Sequence, residues 1–107
     1  MNAKYWQKGE TLDYTPSEAV KNGAVVSLGT RIGIAGSDIA AGELGHIHVV
    51  GVFELDKASG TAVTMGAAVY YDADADVITT ETSGVPAGYA AADAAAGDAT
   101  ALVKLLG

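Results

Sequence analysis

Apolar residues in this chain come in short alternating groups, three to six residues long, separated by glycine-containing turns. Thr11-Leu12-Asp13-Tyr14-Thr15 alternates with a period of two, which puts Leu12 and Tyr14 on one face of a strand. Ala24–Leu28 and Arg31–Ala35 flank Gly29-Thr30 and predict a hairpin. A glycine-bearing loop, Asp38–Gly45, leads into a strand over His46–Val50, and Gly51 marks a bend before Val52–Leu55. Lys57-Ala58-Ser59-Gly60 reads as a turn. Ala67–Tyr71 and Val77–Thr80 bracket an acidic turn, and strands over Gly88–Ala92 and Thr100–Leu105 close the chain.

Two segments carry helical signals. Thr15-Pro16-Ser17-Glu18 has a capping-box pattern with proline at the first helical position, and Asn22-Gly23 leaves room for one turn only. Ala90–Ala96 is rich in the best helix former, yet seven residues ending at Gly97 are marginal as a helix, so a strand end and a short turn are expected there. The expected fold is all-β: a small barrel or sandwich of short antiparallel strands with at most one or two helical turns. We divide the chain into an N-terminal arm, residues 1–8, and a single β-rich domain, residues 9–107. No period of twenty to fifty residues recurs.

Composition narrows the function. The chain has 107 residues, room for one domain with one modest core. Thirteen acidic against six basic residues give a net charge of −7, and the basic residues form no stripe, which excludes a phosphate-binding surface and hence a nucleic-acid partner. The absence of cysteine rules out thiolate catalysis and zinc–thiolate sites. The opening residues lack the apolar segment of a signal peptide, and no run is long enough to cross a bilayer; the expectation is a protein with no membrane partner, made in the host cytoplasm.

Candidate chemistry is sparse. His46 and His48 lie two apart on a strand and so share a face, where Glu43 or Glu54 would be the third ligand of a metal. The simpler account is two half-exposed histidines on a sheet face or an oligomer seam, and no metal or other cofactor is expected. Asp72-Ala73-Asp74-Ala75-Asp76 starts like a calcium loop, but the sixth and twelfth places hold Val77 and Ser83 instead of glycine and glutamate. The spacing of Gly29, Gly33 and Gly36 matches no nucleotide fingerprint. No nucleophile elbow occurs around Ser17, Ser27, Ser37, Ser59 or Ser83. A non-enzyme is expected, with no catalytic residue. Tyr5, Trp6, Gln7 and Lys8, in a polar segment, suit either an anchor in a partner's groove or, for Trp6, a cap on the bottom of the barrel.

The order and spacing of these turns and strands resemble a family of small phage proteins described as capsid cement or decoration proteins. The resemblance runs through Gly9-Glu10-Thr11-Leu12, Asn22–Val26, Ile34-Ala35, Asp38–Glu43, Gly51–Lys57, Gly66–Asp72, Val77–Thr79, Gly88–Ala90 and Val103–Leu105. Some members carry a RecA-type recombinase label, which the missing phosphate loop and the acidic charge contradict here. The resemblance implies a β-rich protein on the exterior of an expanded phage head, bound to the major capsid protein as a homotrimer; in that role the exposed-aromatic segment Tyr5, Trp6, Gln7 and Lys8 is expected, from its own residues, to supply capsid or oligomer contacts. A small β-barrel binding or hydrolytic module centred on His46 and His48 is the alternative.

Overall fold

The computed structural model describes residues 1–106. Nine strands form two antiparallel sheets. In the first, β1 (Thr11–Tyr14), β4 (Gly45–His48), β3 (Ile32–Ala35) and β2 (Val25–Ser27) lie side by side in that order. The second has the order β5 (Val52–Asp56), β9 (Thr100–Leu105), β8 (Val85–Ala90), β6 (Ala68–Asp72) and β7 (Val77–Thr79). Both sheets have open edges, so the all-β expectation resolves to a sandwich-like pair and not to a closed barrel. An isolated parallel bridge between Lys57 and Ile78 draws the two ends of the larger sheet toward each other without closing it.

Local chemistry makes the hairpins. At the β2–β3 turn the Leu28 N–H donates to the Arg31 carbonyl at 2.8 Å, and Gly29 takes the positive φ of +87° that the tight reversal needs. At the β6–β7 turn the Asp72 side chain accepts from the backbone N–H groups of Asp74 and Ala75, which holds the acidic run in a tight turn. Gly51, at φ +124°, carries the chain from one sheet to the other. Its carbonyl accepts from Leu105 of the second sheet at 2.9 Å, while Val49, two residues earlier, still donates to Glu10 beside the first.

The helical turn expected after Pro16 does not form, and no helix occurs among the described residues. A helix there would use the Pro16 carbonyl locally; instead it accepts from Gly42 at 2.8 Å. Val20 and Ile39 exchange backbone hydrogen bonds at 2.8 and 2.7 Å, so residues 15–22 run as an extended strap against the 36–42 loop. Ile39 is buried against Gly45, where an added Cβ would sit 2.5 Å from the isoleucine Cδ1. The alanine-rich stretch is a turn with one bridge, Ala94 to Val63, as its length suggested.

Two apolar clusters result. The larger contains Leu55, Val69, Tyr71, Ile78, Val103 and Leu105 of the five-stranded sheet and receives Ile32 and Ile34 from β3. The smaller, Val26, Ile47 and Val49 with Tyr14 and Val20 packed against it, lies on the other face of the four-stranded sheet. That face is covered by the strap. The Cα radius of gyration is 14.5 Å, against about 13 Å for a compact chain of this length.

Candidate functional site

Residues 1–8 are exposed throughout and belong to no strand. Tyr5 and Trp6 are 82% and 89% exposed, so Trp6 does not cap the sandwich. Gln7 reaches back to donate to the Thr11 carbonyl at 3.3 Å, at the point where β1 begins. Lys4 and Lys8 flank the aromatic pair, whereas the remainder of the chain holds four basic and thirteen acidic side chains. The arm therefore presents two large apolar groups and positive charge ahead of a negatively charged body. Exposed aromatic rings of this kind gain by burial in a partner's groove.

The histidines do share a face of β4, as their spacing requires. His46 sits opposite Asp13 on β1, with Nε2 3.3 Å from Oδ1, and both side chains are about two-thirds exposed (66% and 68%). His48 leans on Phe53, with ring centroids 5.9 Å apart and planes at 40°. Among the described residues no group of three or more His, Cys, Asp or Glu side chains is placed to hold a metal, so Glu43 and Glu54 do not complete a ligand set. The pair joins β1 to β4 on one side and the first sheet to β5 on the other.

The acidic run lines an open cleft of about 390 Å³, bounded by Tyr71, Asp72, Asp74, Thr79, Glu81 and Ser83. Two of the carboxylates in this run hold the hairpin itself. Asp72 accepts from its own turn, and Asp76, at φ +56°, accepts from the Tyr71 hydroxyl at 2.5 Å. Burial, and then this hydrogen bond to a carboxylate, push the Tyr71 phenol well above its usual range. The cleft thus acts as a clasp on the β6–β7 hairpin.

Sequence reasoning passed over Lys57, treating it as a turn residue. It is buried, and its ammonium donates to the carbonyls of Ala58, Thr61 and Ala96 at 2.9, 2.8 and 3.3 Å. Three carbonyls meet the three donors of the ammonium, which ties the β5–β6 loop to the β8–β9 loop. Nothing local signals this, because Ala96 lies 39 positions away.

A second feature passed over is the outward face of the five-stranded sheet. Val52, Tyr89 and Leu102 stand on it, 53%, 46% and 42% exposed. Strand alternation places them opposite the core residues, but apolar residues at both parities of a strand hide which set faces out.

The described residues thus form a small two-sheet β-protein with an exposed aromatic arm and exposed apolar side chains on one face of its larger sheet. The model of the phage cement protein family matches residues 6–105, and the chain belongs to that family. Membership makes it a capsid-associated structural protein of a phage. No curated protein and no solved structure matches the chain.

Proposed function

We propose that the protein binds the exterior of the phage head as trimers and holds neighbouring copies of the major capsid protein together. Its place is then the virion surface, reached from the host cytoplasm where it is made. The observation that carries this reading is the exposed Tyr5-Trp6 pair between Lys4 and Lys8, on a chain of the cement family. In this reading Tyr5, Trp6, Gln7 and Lys8 are the contact segment and residues 9–107 the folded body. Burial of two aromatic side chains is worth several kcal/mol per copy, and many weak contacts repeated by symmetry suffice to resist pressure from packaged DNA. The role needs no catalytic step, metal or cofactor.

The test is co-sedimentation with expanded heads, unexpanded heads serving as control. Saturable binding to expanded heads, near one copy per capsid subunit, is expected. Deletion of residues 1–8 is expected to leave the melting temperature unchanged and to weaken binding at least tenfold. Unchanged binding by the shortened chain would remove the arm's role, and no binding by the full chain would remove the capsid reading.

A further inference from the structure

The two sheets repeat one another. The strand order β1-β4-β3-β2 of the first matches β5-β9-β8-β6 of the second. The registers agree as well. Thr11 opposite His48 corresponds to Val52 opposite Lys104, and Ile34 opposite His48 corresponds to Tyr89 opposite Lys104. Val26 opposite Gly33 corresponds to Val69 opposite Gly88. In the loops, Val20 and Ile39 exchange backbone hydrogen bonds as Val63 and Ala94 do. Gly23 donates to Ala35 as Gly66 donates to Ala90, and Val49 donates to Glu10 as Leu105 donates to Gly51. The Asp38 carboxylate accepts from the Asn22 N–H at 2.8 Å, and the Asp93 carboxylate accepts from the Met65 N–H at 2.7 Å. No fixed period marks this repeat in the chain, because the offset drifts from 41 positions at Thr11 and Val52 to 55 at Ile34 and Tyr89.

The second unit has one strand more. β7 pairs with β6, and on its other side the Ala58 N–H donates to the Ile78 carbonyl at 2.8 Å. Ile78, 1% exposed, thus fills a slot between β6 and residues 57–58. Counting on from Thr11 and Val52, the same slot in the first unit lies between β2 and Pro16-Ser17. There β2 is an edge strand, and an open groove of about 250 Å³ lies beside it, lined by Tyr14, Pro16, Ser17, Glu18, Val25 and Ser27 among others. Leu28 donates to the Arg31 carbonyl and Ala24 accepts from Ala35. Alternation then turns the N–H and C=O groups of Val25 and Ser27 away from β3, toward the open side.

We infer that this groove takes an extended segment of a partner protein as an added antiparallel strand along β2, with a β-branched apolar residue at its centre and no acidic side chain. β7 shows what suits the slot, since Val77-Ile78-Thr79 runs antiparallel to β6 with the isoleucine buried. Charge sets the rest: Glu18 lines the groove on a chain of net charge −7, so carboxylates on the incoming segment are repelled. Main-chain hydrogen bonds give an added strand its affinity, and the slot for its central side chain gives its selectivity. β2 has three residues where β6 has five, so a short free peptide binds at about millimolar strength. The site is on the folded body, apart from the arm, and does not rest on the capsid reading.

The test is an NMR titration of the nitrogen-15-labelled full chain with a synthetic peptide of residues 75–82 carrying Asp76→Asn and Glu81→Gln. Saturable amide shifts are expected, confined to residues 16–20 and 25–28. The same peptide N-methylated at residues 77–79 cannot pair as a strand and should bind at least fivefold more weakly, as should a peptide of scrambled order. Ser27→Pro in the protein removes an outward N–H at an exposed position and leaves the β3 ladder intact, giving up only the hydroxyl's bond to Gly29. It should weaken binding at least fivefold in a chain whose spectrum stays that of the folded parent. No saturable shift up to about 5 mM peptide, shifts elsewhere, or equal binding by the N-methylated peptide would overturn the proposal. Shifts at the same residues on raising protein concentration without peptide would assign the groove to a second copy and overturn the partner assignment. Heads play no part in the measurement, so its failure and that of the capsid reading are told apart.

Discussion

The larger cluster and the smaller one are built on different principles. The five-stranded side buries Leu55, Val69, Ile78, Val103 and Leu105 against strands bonded to one another by long antiparallel ladders. The four-stranded side buries only Val26, Ile47 and Val49 there, under a strap held by two backbone hydrogen bonds and a proline carbonyl. The first is an interior packed between paired strands. The second is a lid over a sheet. The exposed arm leads into β1 of the lidded side.

The sharpest way to break the core side is at Gly88. Its φ is +145°, and a Cβ added there would lie 1.9 Å from the Lys104 carbonyl oxygen, a backbone atom that cannot swing aside. The β6–β8 register also shifts just here, between Val69 and Tyr70, while the close approach at Gly88 is to β9 on its other side. Gly88→Ala is expected to cost more than about 4 kcal/mol, a large part of the stability of a domain this size. Urea unfolding followed by circular dichroism checks it; a loss below about 1 kcal/mol would mean the ladder can give way.

That position also shows where sequence reading stops. Gly88-Tyr89-Ala90 reads as strand and is strand, but a bulge belongs to the pairing of two strands and leaves no mark on one of them. The β2–β3 and β6–β7 hairpins were legible because their turn residues act on partners within four positions. The strap was misread for the converse reason. Thr15-Pro16-Ser17-Glu18 carries a sound local helix signal, and Gly42, 26 positions from Pro16, takes the carbonyl that helix would need. Of the site, the arm's polarity and aromatic pair were visible in the chain, as was the shared face of His46 and His48. The exposure of Trp6, the Lys57 clasp and the bare face behind Tyr89 depend on which strands become neighbours.

A matched pair of truncations sharpens the contrast between the two sides. Ile78 and Ile47 are each 1% exposed, one in each cluster. Isoleucine to alanine costs about 2–5 kcal/mol, the spread reflecting how far the surroundings collapse into the space. Ile78→Ala is expected near the top of that range, since Tyr71 on the paired strand is pinned by Asp76. Ile47→Ala should fall near the bottom, because the strap can settle onto the sheet. Chemical denaturation of both variants decides it. Equal losses would show that the strap is as rigid as a strand.

The smallest expected effect lies at the rim of the lidded side, where His46 meets Asp13. A pair this exposed gains little, because water screens the charges and ordering two side chains costs entropy. A double-mutant cycle with His46→Ala and Asp13→Ala should return a coupling below about 0.5 kcal/mol, falling further in 1 M salt. A coupling above about 1.5 kcal/mol would show that this contact clamps β1 against β4. The arm would then leave from a fixed strand, and the directions open to it would be set by the His46 contact as well as by its own eight residues.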